Sequence, residues 1–357
     1  MILLRFLSCL LCAPLCFLTA CSAPQVPVAP LPANCHLPQV FAAVPGYVPI
    51  YADRSPGGSF SEVDPAAVKN MAVVMGPFWR DLNAYLKLSD TVAKSRDAGA
   101  TQCALASLST WAQGGHMLTE PGGTQPEQYQ SRYEFKWTLQ GIATAYALVL
   151  KPHANATQRA QIEAWLHQAG ESVAAFNIER PGEGKLNNHY YWGGASVMAV
   201  AVATGDRHLR ELARRTYEAG VDEIRDDGSM PREMTRRQQS LHYHNFSLTP
   251  LTMMAELSRL GGEDWYDYRP DRLPRLTAFI ARALEHPEDD LGSFGHVQDR
   301  QLMGACSDEW GWTQFWRERM PDTAKFAVPA GRCSSRLLGG DIALLRERGL
   351  FAPAKQP

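Results

Sequence analysis

Gln161-Ile162-Glu163-Ala164-Trp165-Leu166-His167-Gln168-Ala169-Gly170-Glu171-Ser172-Val173-Ala174-Ala175-Phe176 carries its apolar side chains at Ile162, Trp165, Leu166, Ala169, Val173 and Phe176. Steps of three and four put these on one stripe of an α-helix that must face a core. Leu209, Leu212, Ala213, Tyr217, Val221 and Ile224 repeat the spacing. Residues 101–118, 131–150, 188–204, 237–260 and 272–285 also read as helices, separated by short Gly, Pro or Asp punctuation. Strand signals are scarce, so the chain is predicted to be all-α, with short connections joining antiparallel helix pairs. No repeat, charge run or linker divides it, and residues 50–357 are read as one domain.

The 357 residues, 45% hydrophobic and 20% charged, are enough for one large core. Residues 1–20 stand apart: Arg5 precedes an apolar run that closes on Leu18-Thr19-Ala20-Cys21. That is the pattern of a bacterial lipobox, predicting a signal peptide cleaved before Cys21 and a lipid on its thiol. Ser22 favours the outer membrane, so the expected location is periplasmic, with the membrane reached only through the anchor; a plain secretory signal is the alternative. Removing residues 1–20 takes away one Arg and leaves three net negative charges. A mildly acidic chain argues against a nucleic-acid partner, yet leaves room for a locally basic cleft.

Four cysteines follow Cys21: Cys35, Cys103, Cys306 and Cys333. In an exported chain they read as two disulfides with three possible connectivities. Cys35 with Cys103 and Cys306 with Cys333 is the favoured pairing, the first stapling an N-terminal arm to an early helix. Residues 21–49, rich in Pro, Ala and Val, read as tether and extended arm, and residues 54–64 as a turn-rich loop. Asp64-Pro65 then starts a helix, Asp as cap and Pro at the first position.

Two polar, aromatic islands interrupt the helical patterns. Lys185-Leu186-Asn187-Asn188-His189-Tyr190-Tyr191-Trp192 precedes the apolar run Val197–Val202, and Arg236, Arg237, His242, Tyr243 and His244 crowd into nine residues. The apolar run predicts a buried helix whose polar start faces a cleft. Asn, His, Arg and Tyr together can neutralise a carboxylate and move a proton beside it.

The order Asn-Asn-His-x-Tyr-Trp (187–192), Ser-Val-Met-Ala-x-Ala-Val-Ala-Thr (196–204) and Arg-x-Gln-Gln-x-Leu-x-Tyr-His-Asn (236–245) resembles the polysaccharide lyase family 5 alginate lyases, with a weaker likeness from about Cys35 to Asp341. The resemblance implies an incomplete α/α toroid around a long cleft, an anionic polysaccharide as substrate, a monomer, and no cofactor or metal. It implies β-elimination, in which a C6 carboxylate is neutralised, the C5 proton removed and the bridging O4 protonated. Asn188 and Arg236 are then the neutralising donors. His189 and Tyr243 form the acid–base pair, and the sequence leaves open which is the base; a nearby Arg could lower the Tyr243 pKa enough for it to serve as base too. In β-D-mannuronate H5 and O4 share one ring face, so one residue could serve both steps.

Substrate contacts are expected from Trp111, Lys136, Trp137, Gln140, Tyr190, Tyr191, Trp192 and His242. Arg54 corresponds to a basic residue of the family's lid. His242 stands where the family has Ser, Phe246 follows where it has Tyr, and its Arg-Gln-Gln-Arg phrase becomes Arg236-Arg237-Gln238-Gln239. These departures leave the chemistry in place and put strict mannuronate preference in question, with polyglucuronate or hyaluronan as further substrates. His242-Tyr243-His244 also matches a two-His metal pattern, but no third ligand is evident. Two other functions compete. A glycoside hydrolase would need paired carboxylates, for which Asp226, Asp227, Glu233, Asp308 and Glu309 are available; a non-catalytic polysaccharide-binding lipoprotein would need only the aromatic cleft.

Overall fold

The computed structural model describes residues 31–54, 58–179, 186–304, 307–319 and 333–351. Cys21, Lys185 and Cys306 lie outside the described residues. From Pro32 on, the chain is one compact unit.

Helices dominate, in the order α1 (Pro65–Ser95), α2 (Ala98–Gly114), α3 (Gln125–Ala145), α4 (Ala156–Asn177), α5 (Asn188–Thr204), α6 (Arg207–Asp222), the single turn α7 (Pro231–Met234), α8 (Ser240–Ser258), α9 (Arg272–Glu285), α10 (Asp290–Phe294), α11 (Thr313–Arg319) and α12 (Ile342–Glu347). Among the described residues the only strands are β1 (Ser334–Ser335) and β2 (Gly340–Asp341), paired antiparallel. Helix starts follow from sequence chemistry. Asp64 accepts hydrogen bonds from the Ala66 and Ala67 amides with Pro65 at the first position, Asn155 and Gln158 form a reciprocal box before α4, and Asp206 caps α6. Between α5 and α6 the chain reverses at Gly205, whose φ of 79° is left-handed and suits a residue without Cβ.

The stripe on α4 points inward as its spacing requires, with Ile162, Trp165, Leu166, Ala169 and Val173 all buried. It packs on α5, the central helix, which also touches α3, α6 and α8. A helix enclosed on all sides must be apolar all round, which accounts for Val197–Val202. Satisfying its first backbone amides then requires polar neighbours at the mouth: Asn187 caps it by accepting from the Tyr190 amide.

The N-terminal arm is woven into this unit and is not a free tether over residues 32–49. Cys35 is disulfide-bonded to Cys103 on α2. The Gln39 carbonyl accepts from the Trp111 indole, the Phe41 amide donates to His116 Nδ1, and Val44 and Tyr47 are buried. Cys333 is disulfide-bonded as well. The β1–β2 turn lies directly on α3 because Gly141 has no side chain; a Cβ there would collide with the Arg336 carbonyl oxygen. That approach carries Arg336 and Leu337 to the edge of a cleft.

Candidate active site

The two polar islands meet in one cleft of about 900 Å³. Its wall combines the mouth of α5 (Asn188, His189), the turn before α8 (Arg236), the first turns of α8 (His242, Tyr243, Phe246), α3 (Tyr133, Glu134, Trp137) and the arm (Tyr47, Tyr51, Arg54). Asn188 and Arg236 are 48 positions apart in the sequence. Packing of α5 against α8 closes that gap.

Arg236 follows the turn α7, where its amide donates to the Glu233 carbonyl. Its guanidinium lies 4.7 Å from the Tyr243 ring centroid, and Nε lies 3.7 Å from a Glu233 carboxylate oxygen. Glu233 is fully enclosed and accepts from the Asn188 backbone amide at 2.8 Å, from Asn188 Nδ2 at 3.3 and 3.4 Å, and from Ser247 Oγ at 3.3 Å. Thus one buried carboxylate aims both neutralising groups. The Nη ends of Arg236 make no hydrogen bond among the described residues, so the fork is open for a carboxylate.

Tyr243 Oη sits 2.9 Å from Tyr51 Oη. Burial pushes the Tyr243 phenol above its ordinary value even though the Arg236 charge pulls it down. Desolvation thus outweighs the guanidinium in setting the direction of the shift, which favours the protonated phenol. His189 moves in the opposite direction. Burial, with the positive charge of Arg236 acting in the same direction, holds it well below the usual histidine range, which favours the neutral ring. Its ring stacks on Tyr133 with centroids 3.8 Å apart, and its Nδ1 lies 3.2 Å from Lys136 Nζ.

His242 faces the cleft beside Tyr243, with Nδ1 3.0 Å from a Glu309 carboxylate oxygen. His244, two residues on, points the other way. Its Nδ1 pairs with the Ser240 carbonyl and its Nε2 accepts from the Met230 amide, so the two histidines do not share a metal position. Glu309 also accepts from Asn245 Nδ2 and Ser307 Oγ. Glu233 and Glu309, available on paper for a hydrolytic pair, are thus enclosed and committed to positioning. Asp226 is engaged by Arg272, and Asp227 by Ser229.

Several expected substrate contacts need correction. Trp111 is core, stacked on His116 at 4.9 Å with its indole N–H tied to Gln39. Tyr191 and Trp192 are enclosed: Tyr191 stands about 200° round the helix from His189, and Trp192 lies one turn further along α5 from Asn188, its indole donating to the Phe246 carbonyl. Tyr190 is partly exposed but lies outside the cleft wall, its ring edge against Tyr191. Gln140 and Lys136 are fully enclosed on α3, Lys136 touching His189 and not the open cleft. Trp137, His242 and Arg54 do line it, Arg54 donating to the Tyr51 carbonyl and facing Asp64 at 3.4 Å. Tyr51, Tyr133, Glu134 and the positioning roles of Glu233 and Glu309 escaped the sequence reading. Tyr51, Tyr133, Glu134 and Glu309 sit far from the motifs along the chain, while Glu233, three residues before Arg236, reads from sequence only as a candidate for hydrolytic chemistry.

A family model described as alginate lyase matches residues 61–289. A polysaccharide lyase of Stenotrophomonas maltophilia strain K279a is 36% identical over 332 residues, covering 90% of this chain and 96% of that protein. An alginate lyase of Pseudomonas fluorescens strain Pf-5 is 34% identical over 203 residues, 55% of this chain and 53% of the relative. Among solved structures, a variant of alginate lyase A1-III complexed with a tetrasaccharide superposes with a TM-score of 0.71 at 23% identity, covering 90% of this chain and 85% of that one. This chain therefore has the α/α toroid fold of that enzyme.

Proposed function

The chain belongs to the alginate lyase family, and on that premise we propose that it cleaves alginate and related polyuronates by β-elimination, with His189 as base and Tyr243 as acid. The observation that carries this reading is the meeting of Asn188, His189, Arg236 and Tyr243 in one cleft, with the Arg236 guanidinium 4.7 Å from the Tyr243 ring and Glu233 behind Asn188 and Arg236.

The C5 proton of a uronate is hard to remove while its carboxylate is charged. Arg236 and the Asn188 amide neutralise that carboxylate and stabilise the charge that builds up on it as the proton leaves, prearranged by Glu233. His189 takes the C5 proton, the C4–O4 bond breaks, a C4–C5 double bond forms, and Tyr243 protonates the departing O4. Proton exchange with solvent then restores both residues. Desolvation suits both roles, since it disfavours imidazolium and phenolate alike before substrate arrives. Charge neutralisation by protein groups leaves no step that requires a divalent cation, so chelator-treated enzyme is expected to retain activity.

His242, tied to Glu309 on the cleft wall, and Phe246 in place of a Tyr support acceptance of uronates beyond mannuronate. The lipobox supports anchoring through Cys21, which mass spectrometry of the mature N-terminus would test. The decisive assay is ultraviolet absorbance from the conjugated double bond during digestion of polymannuronate, polyguluronate, polyglucuronate and hyaluronan. Elimination produces the absorbance. New reducing ends without it would mean hydrolysis, and binding without cleavage would mean a carrier.

A further inference from the structure

Lys136 is an enclosed amine that the elimination as described does not use. It is 0% exposed on α3, and among the described residues it has no carboxylate within ion-pair distance. Its surroundings are aromatic: Nζ lies 3.9 Å from the Tyr133 ring centroid and 4.9 Å from that of Trp137. Its single hydrogen-bond partner is His189 Nδ1, at 3.2 Å. The same Tyr133 ring stacks on His189, so amine and imidazole are held against one surface.

We propose that Lys136 is a positioning residue for the reaction: its neutral amine accepts the proton of His189 Nδ1 and so leaves Nε2 bare as the nitrogen that takes the C5 proton. The proposal rests on His189 being the base. An imidazole has one N–H when neutral, and which nitrogen carries it is set by the partner of the other. An ammonium at Lys136 would donate to Nδ1, put the hydrogen on Nε2 and remove the base. A neutral amine has a lone pair for Nδ1–H.

Two features favour the amine. Full enclosure without a carboxylate partner disfavours the charged form, and the ring faces of Tyr133 and Trp137 replace only part of the lost hydration. Burial accordingly pushes Lys136 well below its ordinary value, against a smaller upward pull from Glu134. Once His189 has taken the C5 proton on Nε2, its Nδ1–H remains directed at the lone pair of Nζ. Lys136 thereby stabilises the imidazolium formed during the reaction.

The test uses the full-length mature enzyme labelled with 15N in histidine. In the unmodified protein the nitrogen shifts of His189 should report Nδ1–H with Nε2 unprotonated. In Lys136→Met, which fills similar space with an apolar chain, the tautomers should mix, and kcat should fall about 10- to 100-fold with KM changed less than about twofold. The acid limb of its pH–rate profile should move to lower pH, because the imidazolium loses an acceptor. An Nε2–H signal in the unmodified protein, or an acid limb that moves to higher pH on substitution, would mean that Lys136 is an ammonium and overturn the proposal. Double-bond formation by the unmodified enzyme is read independently, so the tautomer assignment and the elimination reading fail separately.

Discussion

Two clusters of charged and aromatic residues line the same cleft and differ in how much of their hydrogen-bonding capacity the protein uses. Around Glu134 it is largely consumed. Tyr47 Oη donates to one carboxylate oxygen at 2.6 Å, the Trp79 indole faces the other at 3.4 Å, Gln130 backs the Tyr47 hydroxyl, and Arg336 lies on the Trp79 ring at 4.1 Å within 4.0 Å of Asp308. Around Arg236 the capacity is held open. The guanidinium fork is unclaimed, and His189 has only one of its nitrogens engaged. Both clusters look equally polar, yet only the second presents donors that a carboxylate can complete. A polar group facing a cleft without a partner is costly to a fold, and that cost is tolerated where a ligand supplies the partner.

The comparison breaks first at Tyr243. Tyr243→Phe removes only the proton-carrying oxygen, so turnover should fall by at least ~10² while oligosaccharide binding persists, as read by steady-state kinetics and calorimetry. His189→Ala and Arg236→Ala should be comparably impaired, and Asn188→Ala less so, because Arg236 remains to meet the carboxylate. Near-normal turnover in Tyr243→Phe would remove the acid from the scheme.

The next test sharpens the electrostatics. His189 must be neutral to act and is held below its ordinary value, so kcat/KM should stay on its plateau as pH falls past about 6.5 before declining. Tyr243 must be protonated and is pushed up, so the alkaline decline should begin above about 10 wherever the fold survives. An acid limb centred at or above the ordinary histidine value would show that His189 is more solvated than its burial implies.

The self-satisfied cluster should respond in the opposite sense. Glu134→Gln replaces an acceptor with a half-donor beside Tyr47 and Trp79, so stability should drop by about 1–3 kcal/mol in denaturant unfolding while turnover changes less than ~10-fold. A loss of turnover as large as that of Tyr243→Phe would erase the distinction between the clusters. The smallest effect is expected at His242: His242→Ser frees Glu309 and opens the wall beside Tyr243, shifting the activity ratio towards polymannuronate over polyglucuronate and hyaluronan. An unchanged ratio in parallel assays would mean that His242 serves only to hold Glu309.

Much of this protein was legible from the chain alone, because helices are local objects. The stripe on 161–176, the Asp64-Pro65 start and the enclosed run 197–202 each follow from spacing or capping within a few residues. The motifs at 187–192 and 236–245 likewise named a proposed quartet whose members all line the cleft. What the chain could not reveal is which side of a helix a motif residue faces and what lies opposite. His189 and Tyr191 belong to one phrase, yet one borders the cleft and the other is enclosed. Tyr51 meets Tyr243 across nearly two hundred residues, and Glu233 serves Asn188 and Arg236 at once. Those relations arise from the packing of α5 against α3 and α8 and from the arm laid over them. Protonation follows the same division: the identity of His189 and Tyr243 sets their ordinary pKa values, while burial, a property of the assembled core alone, drives them apart.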